Sequence, residues 1–241
     1  MTLPEQQRRA YLEAMGIDVW VPRDADEAVD EDVDEVVGGP SGPNSFAAEA
    51  APTCSADADW DELRACVADC TRCELAQSRT NTVFGVGNTA ADWMIIGEAP
   101  GAEEDRQGEP FVGRAGKLLD QMLHAIGQSR ESVFIANILK CRPPNNRDPK
   151  PEEAASCREY LERQIEMIGP KIILAVGRIA AQNLLDTDDP VGRMRGHAHD
   201  LDGIPLVVTY HPAYLLRSPS QKRKSWSDLC LATRLAAEAG A

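Results

Sequence analysis

The stretch that decides the fold is Asn137-Ile138-Leu139-Lys140-Cys141-Arg142-Pro143-Pro144-Asn145-Asn146-Arg147-Asp148-Pro149. It begins at the end of an apolar run, Val133 to Ile138, and continues as a polar loop held by prolines. A short apolar run bounded by turn residues is typical of a buried strand. The loop contains an amide that can bind a base edge, a thiol that can bind a metal, and cations that can bind phosphate. The competing interpretation is an ordinary strand-to-helix loop with an isolated cysteine, and the rest of the chain decides between the two.

Three further apolar runs have a similar length. They cover residues 92–96, 171–176 and 204–209, whereas residues 114–126 and 151–167 show helical periodicity. Strands that alternate with helices predict an α/β domain built around a short parallel sheet.

Loops that can form a site follow each of the four predicted strands. Residues 97–101 follow the first strand, Asn137 ends the second, Gly177 follows the third, and His211-Pro212 follows the fourth. The carboxyl ends of parallel strands lie at one edge of a sheet, and ligands bind in the crevice outside that edge. The sequence therefore predicts an active site there.

The charge of the chain is unevenly distributed. The 241 residues carry a net charge of −14, but residues 1–60 contain 14 acidic and three basic residues, so residues 61–241 carry only −3. The acidity therefore does not exclude a nucleic-acid partner for the main domain. No apolar run is long enough for a signal peptide or a membrane span, which predicts a cytoplasmic protein without a membrane contact.

Three regions are predicted along the chain: a short helical peptide (residues 1–22), a disordered acidic linker (23–59) and a folded domain (60–241). Within the first region, Arg8-Arg9-Ala10-Tyr11-Leu12-Glu13-Ala14-Met15-Gly16-Ile17-Asp18-Val19-Trp20 resembles the amino-terminal peptide of the psi subunit of the bacterial clamp loader. That resemblance implies clamp-loader subunits as partners of residues 8–20. Packing of the peptide on its own domain is the alternative.

The seven cysteines are not expected to form disulfides in a reducing compartment, so their spacing becomes informative. Cys70 and Cys73 are three residues apart, and Cys141 and Cys157 follow 68 and then 16 residues later. Four thiolates suit zinc or an iron–sulfur cluster, and the isolated third and fourth ligands favour the cluster. The other cysteines discussed are expected to lie outside this site: Cys54 in the linker, and Cys66 and Cys230 in the core.

Seven motifs follow one another between residues 69 and 236: Cys70-x-x-Cys73-x-Leu75, Gly97-Glu98-Ala99-Pro100-Gly101, Pro110-Phe111-Val112-Gly113, Asn137, Lys140-Cys141-Arg142-Pro143-Pro144-Asn145, Cys157 and His211-Pro212-Ala213-Tyr214-Leu215-Leu216-Arg217. Together they resemble the family 4 uracil-DNA glycosylases, which carry a [4Fe–4S] cluster. The resemblance implies a three-layer α/β/α fold and a monomeric, monofunctional enzyme of base excision repair. Such an enzyme flips uracil out of DNA and hydrolyses its N-glycosidic bond.

The resemblance also implies individual roles. The cluster ligands would be Cys70, Cys73, Cys141 and Cys157. The uracil pocket would consist of Gly97, Glu98 and Ala99, with Phe111 stacking on the base, Asn137 binding its edge and His211 beside the uracil O2. An amide at Asn137 can accept from N3–H and donate to O4, whereas cytosine presents the reverse pattern. The catalytic candidates are His211 and a carboxylate, either Glu98 or Glu104.

DNA contacts are predicted on both sides of the site. Tyr214 and Leu215 can wedge into the space that a flipped base leaves, with Arg217 on the backbone. Phosphate can also be bound by the three cations of the opening stretch, Arg142, Lys140 and Arg147.

Two alternatives for the function remain at this point: a replisome-associated binding protein in which catalysis is secondary or lost, and a zinc-bound nucleic-acid module.

Overall fold

The computed structural model describes residues 54–55 and 57–239. The peptide 1–22 and nearly all of the linker 23–59 lie outside the described residues, and so does the predicted clamp-loader contact through residues 8–20. Among the described helices, none has the length and apolar character needed to cross a bilayer.

One mixed sheet forms the centre of the described residues. Its strands are β1 (Val86–Gly87), β2 (Trp93–Gly97), β3 (Phe134–Asn137), β4 (Ile172–Val176), β5 (Ala198–Leu201) and β6 (Ile204–Thr209), in the order β1-β3-β2-β4-β6-β5. The four central strands are parallel, as predicted, and both edge strands are antiparallel. The prediction of a purely parallel sheet was therefore incomplete. Both edge strands are short and partly exposed, so neither produces an apolar run.

The helices are α1 (Trp60–Ala68), α2 (Ala102–Gln107), α3 (Arg114–Ala125), α4 (Pro151–Ile168), α5 (Arg178–Leu185), α6 (Val191–Met194), α7 (Pro212–Arg217) and α8 (Lys222–Ala239). The predicted helices at 114–126 and 151–167 are confirmed almost to the residue. Proline at the first position of α4 starts the helix with a preset φ, and Gly169 ends it in a left-handed conformation.

Two hydrophobic cores lie on opposite faces of the sheet. Met94 and Ile96 of β2 face a core to which α4 and α5 contribute, whereas Trp93 and Ile95 face a core that includes α3, α7 and α8. Successive side chains of a strand point to opposite faces, so a strand covered on both sides is apolar throughout. This arrangement confirms the three-layer α/β/α fold.

The register of the sheet positions the strand-end loops. Gly97, the last residue of β2, pairs with Asn137, the last residue of β3. Beyond this pair, the two chains remain hydrogen bonded, because the Ile138 N–H donates to the Gly97 carbonyl at 2.9 Å and the Leu139 N–H donates to the Glu98 carbonyl at 3.1 Å. The first two predicted site loops are thus fixed side by side.

Candidate active site

A cavity of about 750 Å³ opens at the carboxyl ends of the central strands. The predicted site residues that line it are Glu98, Ala99, Glu104, Phe111, Asn137, His211, Tyr214 and Arg217. Gly177, which follows β4, lines it as well. The structure therefore brings together the four strand-end loops that the sequence places at this edge of the sheet.

Asn137 presents a buried amide at this cavity. The residue is only 1% exposed, and neither its Oδ1 nor its Nδ2 has a hydrogen-bond partner among the described residues. Gly97 packs so closely that a β-carbon there would lie 2.5 Å from the Asn137 Oδ1. A buried amide with both of its polar atoms unpaired is suited to a ligand that offers one donor and one acceptor.

The loop that carries Phe111 is held from both sides. Phe111 has a φ of 55°, a conformation that non-glycine residues rarely adopt. Arg130 donates to the Phe111 carbonyl at 3.1 Å, and the Glu104 carboxylate accepts from the N–H groups of Val112 at 3.0 Å and Gly113 at 3.1 Å. These bonds stabilise the unusual backbone and fix the ring at the cavity.

The ring of Phe111 packs between a glycine and a histidine. A β-carbon on Gly97 would lie 2.6 Å from the ring, so only glycine leaves room for it. On the other side, the rings of Phe111 and His211 are stacked with their centroids 5.7 Å apart and an interplanar angle of 30°. The two aromatic residues and the amide thus belong to one packed unit.

The two candidate carboxylates have different surroundings. Glu104 accepts the two backbone bonds described above and therefore has a structural task in the Phe111 loop. The Glu98 side chain forms no hydrogen bond with any described residue. Burial and the negative charge of Asp148 raise the pKa of Glu98 to about 6, and Arg178 opposes this shift. Of the two, Glu98 is the carboxylate available for chemistry in the cavity.

His211 is fixed as a neutral ring with a defined tautomer. Burial and the charge of Arg217 lower its pKa to about 4, and Glu104 opposes the shift. The Ala213 N–H donates to His211 Nδ1 at 3.1 Å, so the proton of the neutral ring resides on Nε2. Nε2–H is then available as a hydrogen-bond donor.

Only two of the four residues predicted to contact DNA line the cavity. Tyr214 is 36% exposed and Arg217 is also exposed, and both line the cavity. Leu215 is 1% exposed and packs in the core with α8 on the inner face of α7, so the described structure does not present it to DNA as the sequence predicts. Arg142 is half-buried and does not itself line the cavity, and it donates to Asn146 Oδ1 at 2.8 Å.

The other cations of the opening stretch also form internal contacts. Lys140 is 1% exposed, which contradicts the prediction of a phosphate contact. Arg147 lines the cavity but forms two bonds with the carboxylate of Glu153, at 2.6 and 2.8 Å. A loop sequence alone does not distinguish a buried cation from an exposed one.

Four of the cysteines line one small second cavity: Cys70, Cys73, Cys141 and Cys157. Burial raises the pKa of Cys157 to about 12 and raises that of Cys141 as well. The charged side chains that line this cavity with them are Arg72, Arg79 and Lys140, and Arg79 donates to the Cys141 Sγ at 3.1 Å. Buried thiols surrounded by cations are suited to binding as thiolates to a metal centre.

No three His, Cys, Asp or Glu residues in the described chain lie close enough together to hold one metal ion. In a cluster each cysteine binds a different iron, so the sulfurs need not converge on one point. The four cysteines are possible ligands of a metal centre.

The remaining cysteines differ from the expectations. Cys54 and Cys66 are paired as a disulfide, although a cytoplasmic location predicts free thiols. Cys230 is exposed rather than buried, because α8 turns Leu229 and Ala232 toward the core instead.

Sequence reasoning missed several residues that hold the site. Arg130 and Arg178 gave no signal beyond their charge, since arginine is usually exposed. Asp228 is fully buried and accepts from Arg195 at 2.7 and 3.0 Å and from the Thr209 hydroxyl at 3.0 Å. A carboxylate in the middle of an amphipathic helix pattern could have indicated this network, which fixes the end of β6 two residues before His211.

Several known proteins that are similar to this chain are uracil-DNA glycosylases. Residues 84–232 match the uracil DNA glycosylase superfamily. The chain is 46% identical over 176 residues to a type-4 uracil-DNA glycosylase of Archaeoglobus fulgidus, covering 70% of this chain and 88% of the relative. A type-4 uracil-DNA glycosylase of Thermotoga maritima is 47% identical, with 65% and 82% covered. A type-5 uracil-DNA glycosylase of Thermus thermophilus is 33% identical, with 43% and 53% covered.

Proposed function

The chain belongs to the uracil DNA glycosylase superfamily, and from this we infer that it is a monofunctional uracil-DNA glycosylase of base excision repair. It hydrolyses the N-glycosidic bond of uracil in DNA and leaves an abasic site. The observation that carries this inference is the buried Asn137 amide, which faces the cavity without a partner among the described residues. An unpaired buried polar group costs about 1–3 kcal/mol, and a base edge removes that cost on binding.

Asn137 supplies the discrimination between bases. Its Oδ1 accepts from uracil N3–H and its Nδ2 donates to O4. Cytosine presents an acceptor at N3 and a donor at N4, so both contacts would be mismatched. A site built to form hydrogen bonds with one base rejects an analogue that leaves its buried groups unpaired.

Stacking of the base on Phe111 offsets part of the free-energy cost of base flipping. Extruding a base from the duplex costs a few kcal/mol, whereas stacking on an aromatic ring returns about 1–3 kcal/mol. The ring is already fixed by the bonds to its loop, so little conformational entropy is lost when the base arrives.

His211 and Glu98 act on the two charges that develop in the reaction. As the glycosidic bond breaks, negative charge grows on the uracil oxygen, and the His211 Nε2–H stabilises it as a neutral donor. The sugar becomes cationic, and the Glu98 carboxylate stabilises it and orients the attacking water. Glu104 contributes by holding the Phe111 loop.

Cys70, Cys73, Cys141 and Cys157 are the proposed ligands of a [4Fe–4S] cluster. When bound, the cluster cross-links the chain after α1, the loop after β3 and helix α4. Support comes from the cavity that the four cysteines share and from the cations that line it with them. Elemental analysis tests the proposal: iron and acid-labile sulfide support it, and zinc without sulfide contradicts it.

DNA is proposed to approach across the cavity mouth. Tyr214 and Arg217 on α7 line this cavity, and so does Arg178 on α5. Tyr214 can occupy the space that the flipped base leaves, and the arginines can contact phosphates. A monomeric state, a cytoplasmic location and clamp-loader binding through residues 8–20 remain predictions of the sequence.

A glycosylase assay tests the function. The protein is incubated with oligonucleotides carrying uracil opposite guanine, uracil opposite adenine, unpaired uracil, or cytosine at the same position. We expect uracil release and no cytosine release. Asn137→Ala and His211→Ala should each lower uracil release by about 10²–10³-fold, the cost typical of a lost oxyanion donor.

Matched controls come from the same chain. Asn183→Ala removes an amide that donates to the Ile179 carbonyl within its own helix, and His124→Ala removes a ring in the last turn of α3. Both should release uracil at the wild-type rate. Unchanged release by Asn137→Ala and His211→Ala would show that the site is assigned to the wrong residues.

A further inference from the structure

Lys140 is a buried cation that lies between the two sites. Its Nζ donates to the backbone carbonyl of Asn137 at 3.0 Å and to Gln164 Oε1 at 2.6 Å. The residue is 1% exposed, so neither bond is exchanged for a bond to bulk water. Lysine is almost never fully buried without a specific partner.

The partners of Lys140 are themselves fixed. Gln164 is fully buried on α4, and its Nε2 donates to the Phe84 carbonyl at 2.9 Å. The Lys140 carbonyl accepts from the Val83 N–H at 2.8 Å. The lysine is therefore anchored at its backbone and at its ammonium, and the Asn137 carbonyl is bonded to an anchored group.

The same side chain lines the cavity of the four cysteines. It precedes Cys141 in the chain and lines the same small cavity as Cys157. Burying a cation is costly unless negative charge lies close by, and its two bonded oxygens are both neutral. Cysteine thiolates bound to a metal centre would supply that negative charge.

The position of the Asn137 amide depends on backbone contacts. Its side chain has no hydrogen bond of its own in the described structure, so packing and the backbone alone decide where Oδ1 and Nδ2 lie. Gly97 restricts it on one side. Lys140 holds the carbonyl of the same residue.

We propose that Lys140 is a positioning residue that couples the cysteine site to base recognition by holding the Asn137 carbonyl. This inference rests on the proposed function. It assigns Lys140 to orientation of the base-binding amide rather than to phosphate binding. The expected effect is on the rate of excision and on affinity for the free base, with little effect on affinity for DNA.

The test uses Lys140→Met in the full-length, cluster-containing protein. Methionine keeps much of the length and apolar volume but removes the charge and the donor. We measure iron and sulfide content, thermal unfolding, kcat and KM on a uracil oligonucleotide, and inhibition by free uracil. A displacement of reacting groups by about 1 Å can cost about 100-fold in rate, so we expect kcat to fall by about 10–100-fold. KM for DNA should stay within about threefold, since the cavity-mouth arginines are unchanged, and inhibition by free uracil should weaken.

Two further variants make the result decisive. Lys171→Met is the matched control, because Lys171 is exposed and pairs with Asp92 on the surface; it should behave as the wild type. Gln164→Leu removes the second acceptor of Lys140 without altering a residue that lines the cysteine cavity. If the Lys140→Met variant loses iron, the kcat of the Gln164→Leu variant decides whether the proposal holds. A lower kcat of Gln164→Leu with its cluster retained supports the proposal, and an unchanged kcat overturns it.

The failure of this inference differs from failure of the proposed function. A wild-type protein that releases no uracil contradicts the function. A wild-type protein that releases uracil, together with an iron-loaded Lys140→Met variant of equal kcat and equal inhibition by free uracil, contradicts only the coupling.

Discussion

Gly97 and Asn137 are register partners at the ends of β2 and β3, and a β-carbon on Gly97 would lie 2.5 Å from the Asn137 Oδ1. Real β-carbons do not approach other atoms this closely, so the amide or the strand would have to move. The base-binding residue is therefore positioned by the absence of a side chain next to it.

Gly97→Ala should lower kcat/KM for uracil release by about 100-fold, because the added methyl group displaces both the Asn137 amide and the Phe111 ring. Steady-state kinetics on a uracil oligonucleotide measure this effect. Gly192→Ala is the matched control, since a β-carbon at Gly192 would meet no atom within 4 Å. Equal activity of the two variants would contradict the proposed packing.

Uracil release should depend on pH through Glu98. Its pKa is raised to about 6 by burial, so the carboxyl group is protonated below that pH and cannot stabilise a cationic sugar. We expect kcat/KM to rise with pH by about tenfold per unit up to about pH 6 and then to level off. His211, with its pKa lowered to about 4, should add no transition between pH 5 and 8.

Glu98→Gln should remove this pH dependence between pH 5 and 7 and lower the plateau by about 10²–10⁴-fold. The comparison requires the same buffer series for both proteins. A pH profile that stays the same in Glu98→Gln would assign the titration to another group.

Glu104→Ala and Glu104→Gln should separate a loop function from a catalytic one. Glu104 Oε1 accepts from the N–H groups of Val112 and Gly113. Glutamine retains an acceptor oxygen and should keep much of the activity, whereas alanine leaves the loop unsupported and should lower kcat by about 10–100-fold. If glutamine were as damaging as alanine, the charge of Glu104 would be needed and the loop function would be insufficient.

Tyr214, Leu215 and Arg217 should behave differently although they are neighbours. Leu215→Ala creates a cavity in the core and should lower the free energy of unfolding by about 2–5 kcal/mol. Arg217→Ala should leave stability nearly unchanged but weaken DNA binding and reduce the slope of log K against log salt by about one. Chemical denaturation and salt-dependent binding measure the two effects. A stability loss for Arg217→Ala equal to that for Leu215→Ala would contradict the placement of α7.

The sequence predicted the four central strands because each contains a short apolar run: β2, β3 and β4 are buried throughout, and β6 is buried over its last four residues. It also predicted which strand ends converge, since parallel strands carry their carboxyl ends to one edge. The antiparallel edge strands were missed because both are short and partly exposed, so neither forms an apolar run. In addition, β1 pairs with β3, which is distant in sequence. The residues of the cavity followed from motifs, but their contacts did not.

Lys140 shows where the sequence alone was insufficient. In the opening stretch it is one of three cations near prolines, and the pattern gives the same expectation for all three. The tertiary structure buries Lys140 and bonds it to Asn137, pairs Arg147 with Glu153 and leaves Arg142 half-buried against Asn146. The side-chain chemistry of the stretch was thus determined by the sequence, since residue type sets which groups can bind a base, a metal or a phosphate. Which of these groups meets which partner was decided only by the fold, because burial and the contacts made by Gln164, Glu153 and Gly97 come from other strands and helices.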